Sequence, residues 1–293
     1  MNAFVKRIGN YLSLVRFSHT LFAMPFALLG FFTALNTEGY NFTWRLIILV
    51  LLCMVFARNA AMGFNRYVDY KFDSINPRTA KREIPSGVIS PRSALLFVII
   101  NSILFIAAAA LINRLTMFLS PLALIIILAY SLTKRFTSLS HFILGLALSL
   151  APLGAYISVT GKFGLQPILY SLVVLCWVSG FDIIYSLQDS KFDIKNKLLS
   201  IPVRLGIKKS LMISSLLHLL AVAFVVLSGL VFNSGVLYWI GAIIFSLMLI
   251  YEHIIVKPDD IMSITKAFGT MNSYAGVSFC AFAIADLYLK LTL

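Results

Sequence analysis

Two acidic segments carry the residues whose types and spacing could do chemistry. In the first segment, Asn65, Asp69 and Asp73 are spaced four residues apart. Residues at this spacing stack on one face of a helix. Two carboxylates and an amide oxygen on one face form an all-oxygen site that suits a hard divalent cation. The loop that follows offers three cationic donors to phosphate oxygens: Arg78, Lys81 and Arg82.

The second segment repeats this acidic pattern. Asp182 precedes Asp189 by seven residues, and Asp189 precedes Asp193 by four. On one continuing helix all three side chains share a face, and Asp182 lies at least one turn deeper, at or inside the membrane boundary. Because a carboxylate at that depth is costly, Asp182 is a functional candidate.

The two segments also resemble each other in sequence. Lys71-Phe-Asp-Ser-Ile-Asn76 aligns with Lys191-Phe-Asp-Ile-Lys-Asn196. This similarity predicts an internal duplication, with motif loops at about 64–93 and 188–210 facing one cavity. A bare cation would need only one acidic cluster. Two clusters with guanidinium groups fit a diphosphate held through two Mg²⁺ ions, and a lipid-embedded cavity suits a long apolar tail on that diphosphate.

The composition shows which elements must position these residues. Of 293 residues, 60% are hydrophobic and 12% are charged, whereas a soluble domain is about half apolar and about a quarter charged. A soluble enzyme, a disordered chain and a nucleic-acid-binding module are therefore excluded. The net charge of +13 is explained by membrane topology and by a phosphorylated ligand.

The hydrophobic residues fall into nine stretches long enough to cross a bilayer as helices. We therefore predict an all-α, polytopic membrane protein that forms a single domain over 1–293. The predicted spans are 19–35, 44–63, 94–112, 115–132, 142–159, 167–187, 211–231, 236–251 and 272–289.

The basic residues predict the orientation of the chain. With nine crossings, twenty of the 24 Lys and Arg residues lie on the side of the N-terminus. Positive charge concentrates on the cytoplasmic side of a membrane. The N-terminus and both motif loops are therefore predicted to be cytoplasmic and the C-terminus to lie outside, in a protein of the cytoplasmic (inner) membrane.

Three motifs together resemble the UbiA superfamily of intramembrane prenyltransferases over nearly the whole chain. They are Asn65-x-x-x-Asp69-x-x-x-Asp73 with Arg78-Thr-Ala-x-Arg82-x-x-Pro-Ser-Gly87, Asp182-x-x-Tyr185-x-x-x-Asp189-x-x-x-Asp193, and Tyr130-x-x-x-Lys134-Arg135. The resemblance implies nine helices around a central cavity that opens to the cytoplasm and to lipid. It implies Mg²⁺-dependent transfer of a polyprenyl chain from polyprenyl diphosphate to a hydroxyaromatic acid. It implies no nucleic acid and no obligate protein partner.

The resemblance also implies residue roles. The metal ligands are Asn65, Asp69, Asp73, Asp189 and Asp193. The diphosphate is bound by Arg16, Arg78, Lys81, Arg82 and Lys134. The acceptor is bound by Arg66, Tyr130, Arg135 and Tyr185. Catalysis is expected to depend on Asp69 and Asp189 at the metals and on Asp182 near the acceptor ring.

The identity of the acceptor has two readings. The resemblance is strongest to the 4-hydroxybenzoate polyprenyltransferase branch. However, Arg66 stands where ubiquinone-pathway members usually have Asp, and this extra cation could meet phosphate or an acceptor carboxylate. The stretch 180–189 is more similar to the menaquinone-associated branch. We predict 4-hydroxybenzoate as acceptor, with a dihydroxynaphthoate as the alternative.

A secondary transporter is the alternative from a different class of protein. A transporter would also show repeats and membrane-facing carboxylates. Its carboxylates are expected near the midplane of the membrane, whereas those of this chain cluster on one side.

Overall fold

A computed structural model describes residues 3–15, 23–257 and 260–289. Within these ranges every regular element is a helix, which confirms the all-α prediction there. The α-helices are α1 (Ala3–Leu14), α2 (Met24–Glu38), α3 (Trp44–Ile75), α4 (Pro91–Ala110), α5 (Arg114–Thr133), α6 (Ser140–Thr160), α7 (Leu165–Ser186), α8 (Ser190–Lys195), α9 (Ile201–Val231), α10 (Val236–Ile255), α11 (Ile261–Lys266) and α12 (Asn272–Leu289). A 3₁₀ turn (Leu187–Asp189) joins α7 to α8, and a π-helix (Ala267–Met271) joins α11 to α12.

Seven helical segments in the described ranges are long and apolar enough to cross a membrane. They are α3, α4, α5, α6, α7 with its extension through α8, α9 and α10. The chain is therefore an integral membrane protein. The first and last predicted spans correspond to α2 and α12, which have 15 and 18 residues. Both are shorter than the roughly 20 residues of an untilted span, so the count of nine crossings stays a prediction.

Helix α7 forms the centre of the bundle. It packs against α6 on one side and α9 on the other, while α2 packs on α6 and α12, and α3 packs on α4 and α5. The largest apolar cluster surrounds Trp177 of α7, whose ring contacts Phe26, Phe181 and Phe245 at centroid distances of 5.5, 5.3 and 5.8 Å. The most buried helix therefore carries the second acidic motif at its C-terminal end.

A buried polar network joins α7, α10 and α12 behind this core. Trp177 Nε1 donates to Asn272 Oδ1 at 2.6 Å, and Asn272 Nδ2 donates to Glu252 Oε1 at 3.0 Å and to the carbonyl oxygen of Ala267 at 3.0 Å. Buried polar groups are costly unless they are hydrogen-bonded. One asparagine therefore fixes three elements where the π-helix meets α12.

The first acidic motif lies on helix and not on loop. Helix α3 has 32 residues, so it is roughly 48 Å long and exceeds the roughly 30 Å hydrocarbon core. Asn65, Asp69 and Asp73 occupy its last turns, as the four-residue spacing predicts. The predicted loop 64–93 is shorter in the structure, because α3 continues to Ile75 and α4 begins at Pro91.

The second acidic motif does not lie on one continuous helix, which corrects the sequence-based expectation. Helix α7 ends at Ser186 and a 3₁₀ turn precedes α8. The hydroxyls of Ser186 and Ser190 donate to the carbonyl oxygens of Ile183 and Leu187. Serine side chains that bond local carbonyls compete with the helical hydrogen bonds. Helix α9 begins at Ile201, before the predicted seventh span at 211–231, and is interrupted at Gly206, where φ is 76°.

The loop 76–90 between α3 and α4 is held against the bundle. Leu14 of α1 is fully buried and clusters with Ile84, Ile89 and Ala94. The hydroxyl of Ser13 donates to the Glu83 carboxylate. The predicted phosphate-binding loop is therefore anchored on α1 by residues that follow Arg82.

Helices α2 and α6 approach closely at Gly30, which makes this position a test of the packing. A methyl group at position 30 would lie 2.1 Å from the carbonyl oxygen of Pro152. That oxygen belongs to rigid backbone, so Gly30→Ala should lower the unfolding free energy by about 1–3 kcal/mol. The measurement is thermal unfolding of the protein in detergent.

Gly154→Ala is the matched control, because a methyl group there meets nothing within 4 Å. Alanine is the better helix former, so this variant should be neutral or more stable by up to about 1 kcal/mol. Equal destabilisation by both substitutions would contradict the close approach of α2 and α6.

Candidate active site

The C-terminal ends of α3, α5 and α7 meet at one pocket, into which the loop 76–90 and α8 also project. The pocket brings together most of the residues that the sequence singles out. Those that line it are Asn65, Asp69, Asp73, Arg78, Arg82, Tyr130, Lys134, Arg135, Asp182, Tyr185, Asp189 and Asp193. The two acidic motifs thus face each other across a shared space.

Arg78 and Arg82 each bind one acidic motif. Arg78 holds Asp189 with two hydrogen bonds, Nε to Oδ1 at 3.0 Å and Nη2 to Oδ2 at 2.5 Å, and its Nη1 donates to the Tyr185 hydroxyl at 3.2 Å. Arg82 Nη1 donates to both carboxylate oxygens of Asp73, at 2.7 and 2.8 Å. Two arginines from one loop therefore connect the two motifs.

Asp69 has a third arginine as its partner. Arg135 Nη2 lies 3.4 Å from Asp69 Oδ1 and donates to the carbonyl oxygen of Val68 at 2.6 Å. The guanidinium also lies over the ring of Phe72, 5.6 Å from its centroid. Asn65 Nδ2 donates to the other carboxylate oxygen of Asp69 at 3.2 Å. Asn65 and Asp69 thus act as a unit, as their spacing predicts.

Lys134 lies among the carboxylates of both motifs. Burial acts to lower the pKa of Lys134, but the charges of Asp193, Asp182, Asp189 and Asp69 outweigh burial and raise the pKa above its usual value. Asp189 and Tyr185 likewise raise the pKa of Arg78 against the effect of its burial. Both cations are therefore charged at neutral pH.

The donor set fits a divalent metal. No three His, Cys, Asp or Glu side chains in the described ranges are grouped closely enough to hold a metal ion by themselves. However, Asp193 Oδ2 is buried and accepts no hydrogen bond from any described residue. An acceptor without a donor is suited to a cation. The carboxylates of Asp189 and Asp193 on one side, and the oxygens of Asn65, Asp69 and Asp73 on the other, are the ligand types that Mg²⁺ prefers.

Two of the predicted site residues that the structure describes do not line the pocket. Lys81 is exposed on the loop, and Arg66 is 4% exposed within the bundle. Neither is among the described residues that line the pocket. Arg16 lies outside the described residues. The predicted roles of Lys81 and Arg66 in binding ligand therefore gain no support from their placement.

Sequence reasoning missed two basic side chains near the pocket. His141 Nδ1 lies 2.6 Å from Asp182 Oδ2, and no local pattern connects residues 41 positions apart. Arg58 lies midway along α3, seven residues before Asn65, and interacts electrostatically with Tyr130. Its Nε is buried without a hydrogen-bond partner among the described residues. The seven-residue spacing, two helical turns on one face, is a signal that could have identified Arg58.

An apolar helical bundle with two acidic motifs and paired guanidinium groups at one end defines an integral-membrane enzyme that acts on a charged, lipid-linked substrate. The chain belongs to the UbiA prenyltransferase family, whose model matches residues 23–275. It is a prenyltransferase, as the motif resemblance implied.

Curated relatives match most of the chain. Proteins from two strains of Aliivibrio fischeri, both called 4-hydroxybenzoate octaprenyltransferase, are 29% and 30% identical over 245 residues. These matches cover 84% and 83% of this chain and 85% of each relative.

Solved structures share the fold. An apo UbiA homologue from Aeropyrum pernix is 33% identical, with a TM-score of 0.81 over 92% of this chain and 98% of that one. A UbiA homologue from Archaeoglobus fulgidus, bound to GPP and Mg²⁺, is 23% identical, with a TM-score of 0.69 over 96% of this chain and 100% of that one.

Replacing Asp193 tests the metal fit. Asp193→Asn keeps the shape of the side chain but removes the charge of the carboxylate that has a free oxygen. We expect the Mg²⁺ concentration for half-maximal release of diphosphate to rise at least about tenfold. The measurement is a Mg²⁺ titration of the purified protein with geranyl diphosphate and an acceptor.

Asp260→Asn is the matched control, because Asp260 caps α11 by accepting from the Met262 amide and does not line the pocket. Its Mg²⁺ dependence should be that of the unmodified protein. An unchanged Mg²⁺ requirement in Asp193→Asn would remove Asp193 from the metal ligands.

Proposed function

We propose that the protein transfers a polyprenyl chain from polyprenyl diphosphate to 4-hydroxybenzoate and releases diphosphate. The observation that carries this proposal is the pocket where three carboxylate–guanidinium pairs surround Lys134 at the end of an apolar bundle. The names of the curated relatives support the choice of acceptor. The whole chain, 1–293, acts as one catalytic unit with an internal repeat.

The two acidic motifs hold the diphosphate end of the substrate. Bound Mg²⁺ supplies positive charge that neutralises the departing diphosphate. Asn65, Asp69 and Asp73 would hold one metal ion, and Asp189 and Asp193 a second. The guanidinium groups of Arg78 and Arg82 hydrogen-bond phosphate oxygens, and the ammonium group of Lys134 lies between the motifs. Arg16 and Lys81 stay predicted members of this binding set.

The acceptor lies on the Asp182 side of the pocket. The prenyl C–O bond breaks and its electron pair leaves with the diphosphate, which produces an allylic cation. The ring carbon ortho to the hydroxyl forms the new C–C bond, and the ring proton passes to a diphosphate oxygen or another base. Asp182 accepts the hydrogen bond of the ring hydroxyl and thereby directs electron density to the ortho carbon. Asp69 and Asp189 contribute at the metals.

The carboxylate of the acceptor needs a cationic partner. Arg135 is our first candidate, because a planar guanidinium binds a carboxylate with two hydrogen bonds. Arg58 is the second candidate, because it interacts electrostatically with Tyr130 and has a buried nitrogen without a described partner. Tyr130 and Tyr185 line the pocket and would contact the ring of a bound acceptor. Arg66 is the remaining candidate from the sequence.

The surrounding membrane completes the site. Helix α5 exposes Phe118, Leu122 and Ile125 on its outer face, where lipid would cover them. The prenyl tail lies in the apolar bundle and the diphosphate at its charged end. We place the protein in the cytoplasmic membrane, with the N-terminus and the pocket on the cytoplasmic side and the C-terminus outside.

A panel of acceptors with one prenyl diphosphate tests the proposal. Purified protein in detergent is given geranyl diphosphate and Mg²⁺ with 4-hydroxybenzoate, a dihydroxynaphthoate or homogentisate. We expect release of diphosphate and a prenylated product with 4-hydroxybenzoate. A product only with the dihydroxynaphthoate would establish the alternative acceptor. The protein is also reconstituted into liposomes. Movement of an aromatic acid across the membrane of these liposomes, without formation of a prenylated product, would establish a transporter.

The same assay, run on arginine variants, identifies the cationic partner of the acceptor's carboxylate. Arg135→Ala should raise the KM of the aromatic acid more than that of geranyl diphosphate. Arg58→Ala is the comparison, since it removes the deeper guanidinium and leaves the Arg135–Asp69 pair intact. A rise in the KM of geranyl diphosphate alone in Arg135→Ala would assign Arg135 to the diphosphate, and a rise in acceptor KM in Arg58→Ala would then assign the carboxylate to Arg58.

A further inference from the structure

His141 lies directly behind the carboxylate that faces the acceptor. The side chain of His141 is fully buried, and its Nδ1 lies 2.6 Å from Asp182 Oδ2. Asp182 keeps 19% of its side chain exposed and lines the pocket. One side of the Asp182 carboxylate therefore belongs to the protein interior and the other to the pocket.

The hydrogen bonds fix the tautomer of His141. A carboxylate oxygen is a hydrogen-bond acceptor, so His141 Nδ1 is assigned as the donor to Asp182 Oδ2. His141 Nε2 is buried and has no hydrogen-bond partner among the described residues. A hydrogen on Nε2 would be an unpaired buried donor, which is costly. The geometry thus assigns one hydrogen-bond partner to the imidazole among the described residues, the carboxylate of Asp182.

Both side chains stand on closely packed helices. His141 is near the start of α6, and its carbonyl oxygen accepts from Ser179 Oγ of α7 at 3.2 Å. A methyl group at Gly145 would lie 2.3 Å from Ser179 Oγ and 2.6 Å from the carbonyl oxygen of Leu175. Helices α6 and α7 are therefore closely packed at this point. The His141–Asp182 pair is held by two rigid helices and not by a loop.

We propose that His141 is a positioning residue for prenyl transfer. By binding Oδ2 of Asp182, it holds the carboxylate so that Oδ1 is available to the ring hydroxyl of the acceptor. This inference rests on the proposed function, because it concerns the acceptor side of the same pocket. His141 acts through Asp182 and does not itself touch substrate.

Two substitutions separate the hydrogen bond from the bulk of the side chain. His141→Leu fills similar space without a donor. His141→Asn places an amide nitrogen near the position of Nδ1 and can still donate to Asp182. We expect His141→Leu to lower kcat or raise the acceptor KM about tenfold or more, with the KM of geranyl diphosphate and the Mg²⁺ requirement within about twofold. His141→Asn should recover most of the loss.

His218→Asn is the matched control for the loss of a buried histidine. His218 is 3% exposed, and its Nε2 donates to the carbonyl oxygen of Trp177 at 3.2 Å, away from the pocket lining. The acceptor KM should not change in this variant. Thermal unfolding of each variant is measured beside the kinetics, and His141→Asn provides a folded variant if His141→Leu is unstable.

Several results would overturn the inference. Equal loss in His141→Leu and His141→Asn would exclude a donor role. A changed Mg²⁺ or geranyl diphosphate dependence would mean that His141 acts through Asp193, with which it also interacts electrostatically. An equal loss of kcat or acceptor affinity in His218→Asn would mean that the loss of any buried histidine has this effect. Failure of the unmodified protein to prenylate any acceptor would overturn the proposed function as well, whereas an active protein with unaffected His141 variants would overturn this inference alone.

Discussion

The pairing of charges at the edge of an apolar bundle is the constraint on which the rest of the structure depends. Partial burial of a carboxylate or a guanidinium group costs desolvation free energy unless the group is paired with an opposite charge. Asp73, Asp69 and Asp189 each have an arginine partner, and Lys134 lies among them. The same groups that satisfy one another are suited to metal ions and to phosphate. The charged groups therefore pair with one another in the pocket, and the same groups are suited to bind the metal–diphosphate end of a prenyl donor.

The helices place these charges at the boundary between the hydrocarbon core of the membrane and water. Helix α3 is long enough to carry its acidic face past the hydrocarbon core, and α7, the most buried helix, delivers the second motif to the same level. Helix α1 anchors the loop that carries Arg78 and Arg82. One bundle can thus bind both a charged head and a lipid tail, and we propose that the His141–Asp182 pair orients the acceptor at the same pocket.

Much of the fold and site could be predicted because their signals are local. Hydropathy located the helices, and the four-residue spacing of Asn65, Asp69 and Asp73 predicted one helical face. Features that depend on distant contacts were not predictable. The contact of His141 with Asp182 spans 41 positions, and which arginine meets which carboxylate depends on how the loop packs on α1. Lys81 is exposed and does not line the pocket, although Arg82 beside it does.

The central claim is that carboxylates and guanidinium groups bind one ligand jointly, the acids through metal and the arginines through phosphate. Thermal unfolding of the purified protein measures this most directly, with Mg²⁺ alone, with the unreactive analogue geranyl S-thiolodiphosphate alone, and with both. A ligand that binds only the folded protein raises the free energy of unfolding by an amount that grows with the ratio of its concentration to its Kd. Joint binding therefore predicts a shift in Tm with both ligands that clearly exceeds the sum of the separate shifts. A full shift from the analogue without Mg²⁺, or shifts that merely add, would contradict the claim.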